Sequence, residues 1–183
     1  MIQLDTQFIQ DYMMPSEEGQ WQIYDQLNEF NDTFEPSDDP AMWYKLIQEE
    51  AVEWLEEYVI EGFTPNLLKE YCDILYVIEG FSRLFEDNVG KVEGITNEQN
   101  ETLLLILWAA ANISLTNWTT EEIMEGFDRV HKSNMSKLTA DGKVLRREDG
   151  KVLKSDQYLP PDLKDLVIDE FYIDQVKEKL GIE

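Results

Sequence analysis

Between Pro40 and Phe85 the chain offers one place to turn. Two helix-periodic stretches, residues 40–61 and about 66–85, are separated only by Gly62, Phe63, Thr64 and Pro65. A glycine just past one helix and a Thr-Pro pair opening the next are the punctuation of a helical hairpin. Asp38, Asp39 and Pro40 suit the start of the first stretch, and apart from Gly80 nothing interrupts the second. An antiparallel pair imposes a register: positions whose numbers sum to about 123 or 124 lie at the same height, which matches Glu50 to Asp73 and Glu53 to Glu70. On a wheel of about 100° per residue, Glu49, Glu50 and Glu53 share an arc bordering the apolar arc of Trp43, Ile47, Ala51, Trp54, Leu55 and Tyr58. Glu70 and Asp73 stand three residues apart on one side of the second helix, among Ile74, Val77 and Phe81.

Acids among leucines and tryptophans require an explanation, because burying a charge is costly. Carboxylates converging at one level cannot all stay ionised unless cations neutralise them or some take up protons. Oxygen-only donors on rigid helices suit Mg²⁺ or Mn²⁺ far better than zinc, which favours Cys and His. Glu50, Glu53, Glu70 and Asp73 are therefore candidates for binding a cation, with protonation of some of them as the other way to relieve the repulsion. The competing reading is a solvated face of an unusually acidic protein. It fits a lone EExxE run, but it fits Glu70 and Asp73 poorly, since Lys69 is their only polar company.

The remainder of the chain reads as helical up to about residue 136. Residues 21–33 and 101–115 carry helical patterns, and Thr119, Thr120, Glu121 and Glu122 supply cap chemistry for a helix reaching about Asn134. Residues 86–100, with two glycines and many polar residues, read as a loop. Beyond Ser136 the periodicity fades into a turn-rich arm in which DGKVL occurs twice, each copy opening on an Asp-Gly turn, and a small hairpin is expected there. Residues 162–180 can add a last amphipathic helix. One all-α domain over residues 1–183 is expected, with a core at about 20–137 and an arm at 138–183.

With 43% apolar residues among 183, the chain can furnish a core. Its 39 acidic against 15 basic residues give a formal charge of −24, which repels nucleic-acid phosphates and anionic membranes, so neither is an expected partner. The single cysteine, Cys72, allows no intramolecular disulfide, and with no signal-like N-terminus or membrane-length apolar run the expected location is the cytoplasm.

EExxE at Glu49–Glu53 followed after 16 residues by ExxD at Glu70–Asp73 resembles the signature of the MazG-like all-α NTP pyrophosphohydrolases. The stretch FDRVHKSNMSKLTADGKVLRREDGKVLKSDQYLPPDL (127–163) is similar to the C-terminal region of phage and bacterial members of the phosphoribosyl-ATP pyrophosphohydrolase-like group. The resemblance implies a helical bundle with a four-helix core, assembled as a homodimer or homotetramer, in a host cytoplasm if the chain is phage-encoded. It implies Mg²⁺-dependent hydrolysis of a nucleoside triphosphate, ribo or deoxyribo, to the monophosphate and pyrophosphate. Carried residue by residue, it makes Glu50, Glu53, Glu70 and Asp73 the metal ligands, gives Glu49 a part in holding a further ion or orienting the attacking water, and brings Asn134 and Lys137 to the nucleotide. The chain departs from the pattern in the insertion at about 86–102 and in its first 35 residues.

Charge distribution points the same way. Between Arg129 and Lys154 lie eight of the fifteen Lys and Arg residues and only three acids, so this segment is locally positive in a negative chain. Arg146, Arg147 and Lys154 are the side chains expected to swing over a polyphosphate; incidental lysines in a solvated turn region are the alternative. His131 reads as packing or capping, Cys72 as core, and the aromatics of 43–58 mostly as core with one or two at a pocket edge. Two non-catalytic readings stay open at this stage: an acidic helical DNA mimic or interaction protein, and a structural assembly module that keeps the fold without the activity.

Overall fold

The computed structural model describes residues 13–86, 92–167 and Lys179. Five α-helices account for most of them: α1 (Glu17–Phe34), α2 (Pro40–Ile60), α3 (Pro65–Glu86), α4 (Asn97–Asn117) and α5 (Thr120–Met135). Among the described residues there is no strand; in the arm Arg146 and Val152 form an isolated antiparallel bridge. The arm is thus a pair of tight turns and not a regular hairpin. Most of residues 162–180 lies outside the described residues; within them Lys164–Leu166 forms a short 3-10 turn.

Local chemistry sets the helix ends. Asp39 caps α2 by accepting from the Ala41 N–H at 2.9 Å, and Pro40 occupies the first turn, where its missing N–H is harmless. Past Ile60, Gly62 takes a positive φ of 77° and its N–H reaches the Glu57 carbonyl at 3.2 Å, closing the helix. Thr64 then accepts from the Leu67 N–H at 3.0 Å to open α3. Glu57 joins the two helices by accepting from the Thr64 hydroxyl and, at 3.0 Å, from the Asn66 amide. Two starts differ from the periodicity. Helix α1 begins at Glu17 because Ser16 accepts from the Gly19 N–H at 3.0 Å and two glutamates follow in the first turn. Helix α4 begins at Asn97, four residues before the apolar pattern, because Thr96 and Gln99 form a reciprocal capping box.

Helix α3 is the axis of the molecule. It packs most extensively on α2 and also meets α5, α1 and α4. Leu67, Leu68, Tyr71, Cys72, Ile74, Leu75, Ile78 and Phe81 are all fully buried along it, and a helix apolar on nearly every side must lie inside. Any acid on α3 that faces a neighbouring helix is consequently drawn into the interior.

Helix interiors disfavour glycine by about 1 kcal/mol relative to alanine, yet α3 carries Gly80. A Cβ there would stand 2.1 Å from the Trp43 ring, which lies flat against the glycine and donates its indole N–H to the Ser37 carbonyl at 2.8 Å. Gly80→Ala is expected to destabilise the protein by about 2 kcal/mol, because overpacking outweighs the gain in helix propensity. In α5, a Cβ at Gly126 would meet Cys72 and Leu68 at ordinary contact distance, 3.4 Å. Gly126→Ala is expected to be neutral or stabilising. Denaturant unfolding of the two variants checks the opposite signs.

Candidate metal and substrate site

Antiparallel packing of α2 on α3 brings Glu50 and Glu53 against Glu70. One carboxylate oxygen of each lies within 4.8 Å of the other two. Glu50 and Glu70 are buried while Glu53 is exposed. Oxygens that share one Mg²⁺ at about 2.1 Å stand up to about 4.2 Å apart, so the trio is close to the spacing such an ion needs and would draw together slightly to hold it. Hard anionic oxygens without sulfur or imidazole fit Mg²⁺ or Mn²⁺.

Asp73 stands one turn further along α3 but is not part of that trio. Lys69 holds it, with Nζ 2.7 Å from an Asp73 oxygen and 2.8 and 2.9 Å from the two oxygens of Glu70. Burial works against the Lys69 ammonium, but Asp73 and Glu70 together push its pKa above the ordinary lysine value. Burial dominates at Glu50, with Asp73 and Glu53 adding repulsion, and its carboxyl is pushed up to about 7. Glu70 is raised as well, because burial outweighs its contact with Lys69.

Glu49 is not part of the trio and is held by the arm. Lys151 Nζ lies 2.8 Å from one of its oxygens, and Arg147 Nη2 lies 2.9 Å from the other. Burial pushes the Glu49 carboxyl up, but these two cations bring it below the usual carboxylate range. Lys151 also approaches Glu50, at 3.4 Å. The turn bearing both cations is anchored on α2 through Asp149, which lies 2.7 Å from Lys45 Nζ and is itself gripped by Arg147.

The end of α5 adjoins these acids. A cavity of about 140 Å³ is lined by Glu50, Glu53 and Asp73 together with Lys69, Lys137, Lys151 and Lys154. It adjoins a recess of about 70 Å³ that contains Trp43, Phe30 and Tyr76, and Glu50, Asp73, Asn134, Lys137 and Lys151 line both. Asn134 is buried at this junction. Among the described residues the Lys137 ammonium makes no hydrogen bond or ion pair; burial lowers its pKa, against the pull of Asp73 and Glu50. Ser133, only 5% exposed, lines the cavity too, and its hydroxyl has no hydrogen-bond partner among the described residues. A buried polar group left unpaired costs stability, so this hydroxyl is a place where a ligand can satisfy the protein.

The expected substrate-side residues thus divide. Asn134, Lys137 and Lys154 reach the cavity, with Lys154 Nζ 4.7 Å from the Tyr158 ring centre. Arg146 does not, because its guanidinium donates to the Phe34 carbonyl and it lines neither space. Lys151 and Ser133 are additions that composition did not single out. His131 is a packing residue as expected, buried between the Tyr76 hydroxyl at 3.2 Å and Glu29 at 3.1 Å. Cys72 is fully buried, and burial pushes its thiol well above the ordinary value, which suits core and not nucleophile. Trp43, Tyr44 and Trp54 are core residues, with Trp43 also forming part of the recess.

No family model matches the chain, and neither a curated protein nor a solved structure is significantly similar to it. No single helix among the described residues is long and apolar enough to cross a membrane.

Proposed function

We propose that the protein is a Mg²⁺-dependent nucleoside triphosphate pyrophosphohydrolase that cleaves a (d)NTP between its α and β phosphates to give (d)NMP and pyrophosphate. The observation that carries the reading is the mixed charge of one cavity, whose lining brings Glu50, Glu53 and Asp73 together with Lys69, Lys137, Lys151 and Lys154. A metal-bound polyphosphate needs carboxylates for its metal and cations for its phosphates within one space. The resemblance of EExxE, ExxD and the 127–163 stretch to MazG-like enzymes agrees with it.

Glu50, Glu53 and Glu70 would hold the ion, with Asp73 joining once Lys69 releases it. When bound, Mg²⁺ supplies charge neutralisation of the triphosphate and a water acidic enough to attack phosphorus in line at neutral pH. Glu49, ionised and fixed at the rim, is suited to orient that water or to hold a further ion. Lys137 and Lys154 bind phosphate oxygens as point charges, while Asn134 and Ser133 offer hydrogen bonds to sugar or base at the mouth of the aromatic recess. The exposed Leu105 and Trp108 of α4 supply apolar surface that a homodimer or homotetramer would cover. An acidic nucleic-acid mimic displays its charge outward, whereas Glu50 and Glu70 are buried.

The test is a screen of the purified protein against the eight common NTPs and dNTPs with Mg²⁺, with the phosphate products identified. Monophosphate and pyrophosphate in equal amounts are expected for at least one of them. Release of diphosphate and orthophosphate, or no turnover of any of the eight, rejects the assignment.

A further inference from the structure

We propose that Lys151 is a resident counter-ion of the acidic site that transfers to substrate phosphate when a divalent ion binds, so that metal and polyphosphate binding are coupled through one side chain. The inference rests on the pyrophosphohydrolase reading above and adds a role which that reading leaves unassigned.

Most cations near the site are committed elsewhere. Lys69 belongs to Glu70 and Asp73 on its own helix. Arg147 and Lys45 share Asp149, and Lys154 sits over the Tyr158 ring. Among the described residues Lys151 alone comes from the arm to touch both Glu49, at 2.8 Å, and Glu50, at 3.4 Å, and it also lines both the large cavity and the aromatic recess.

Its backbone is fixed. The Arg147 N–H donates to the Lys151 carbonyl at 2.8 Å, the Gly150 N–H donates to the Arg147 carbonyl at 2.9 Å, and the Lys151 N–H donates to Asp149. What can move is the four-carbon stem with its ammonium, a point charge free of the directional demands of a guanidinium. A divalent ion on Glu50 repels an ammonium 3.4 Å from that same carboxylate. The ammonium then has a place to go, because the cavity it already lines is where phosphates would sit. Ser133, buried and unpartnered among the described residues, lines that cavity and independently marks it as a ligand space.

The coupling has two opposite signs. In the absence of polyphosphate Lys151 competes with metal; in its presence Lys151 binds the phosphates. Calorimetric titration with Mn²⁺ alone, and with tripolyphosphate at saturating Mn²⁺, reads both. Lys151→Met is expected to tighten Mn²⁺ binding by about 5- to 10-fold and to weaken tripolyphosphate binding by about 10-fold, in the range of ordinary coupling between sites. Lys151→Arg, which keeps the charge, should leave Mn²⁺ affinity near that of the parent and shows that the position tolerates replacement. Lys154→Met, which removes a cavity charge that touches no carboxylate, should weaken tripolyphosphate alone. Unchanged or weaker Mn²⁺ binding by Lys151→Met, or equal tightening by Lys154→Met, overturns the coupling while leaving the metal site standing. A parent protein that binds no Mn²⁺ overturns the metal reading and the coupling together.

Discussion

Glu50→Gln, Glu53→Gln, Glu70→Gln and Asp73→Asn are each expected to abolish Mg²⁺-dependent turnover, with losses greater than the about 10- to 100-fold that removal of an outer-shell partner costs a metal site. Their effects on stability should diverge, and the divergence separates chemistry from folding. Glu53 is exposed and makes no hydrogen bond among the described residues, so Glu53→Gln should unfold like the parent. Glu70→Gln and Asp73→Asn each take an anionic partner from the half-buried Lys69 and should lower stability, because a poorly compensated charge remains inside. Glu50→Gln removes a repelled, desolvated carboxylate and should raise it. Lys137→Ala, by contrast, should raise KM with little change in metal affinity, since its ammonium faces the cavity without contacting a ligand carboxylate. Steady-state kinetics, Mn²⁺ calorimetry and urea melts on the same five variants give the comparison. Parent-like Mn²⁺ binding by a combined Glu50→Gln, Glu53→Gln and Glu70→Gln protein would put the metal elsewhere.

The helix pair and its register were legible because they depend on local signals. Gly62 and Thr64-Pro65 fix the reversal, and once the chain reverses there, Glu53 and Glu70 fall at one height whatever else the chain does. The partition within the acids was not legible in the same way. Lys69 precedes Glu70 and stands four residues before Asp73, an ordinary helical ion pair, but whether it points outward or into the site depends on how deeply α3 is buried, and the burial of α3 is a property of four neighbouring helices. The arm shows a sharper limit. A surplus of Lys and Arg between residues 129 and 154 identifies the segment that meets anions, yet a charge count carries no orientation. Arg146 and Arg147 are adjacent, and the turn sends one to the Phe34 carbonyl and the other to Glu49. Lys151 meets its carboxylates across about a hundred positions of sequence, a contact set by the Asp149–Lys45 anchor rather than by any pattern near either residue. Ser133 follows the same rule: a serine beside Asn134 looks polar and unremarkable until helix packing closes over it. The early start of α4 was available in the sequence, since Thr96 and Gln99 have capping-box spacing, but the glycines and polar residues around them read more strongly as loop.

Metal-free protein, prepared in EDTA, is expected to lose stability as pH rises from about 5 to about 8. Glu50 is the main cause. Its carboxyl is pushed up to about 7 in the folded protein, against 4.5 for an ordinary glutamate, because it is buried and Asp73 and Glu53 stand nearby. A group whose folded pKa is raised binds more protons folded than unfolded between those two values, so its contribution is fully present below about 4.5 and is lost as pH passes through about 7. At about 1.4 kcal/mol per pH unit the difference amounts to about 3 kcal/mol, which for a domain of this size corresponds to about 6–12 °C in Tm. Glu70 is raised as well and Glu49 is shifted the opposite way by Lys151 and Arg147, so the comparison that isolates Glu50 is with Glu50→Gln, whose profile over the same range should be flatter and higher at pH 8. Millimolar Mg²⁺ should restore most of the lost stability at pH 8, where the carboxylates are ionised and available, and little at pH 5, where a proton already occupies Glu50. Thermal unfolding of parent and Glu50→Gln at both pH values, with and without Mg²⁺, reads all of these terms. Parallel profiles for the two proteins, or a Mg²⁺ effect larger at pH 5 than at pH 8, would mean that Glu50 is neither the titrating group nor a metal ligand.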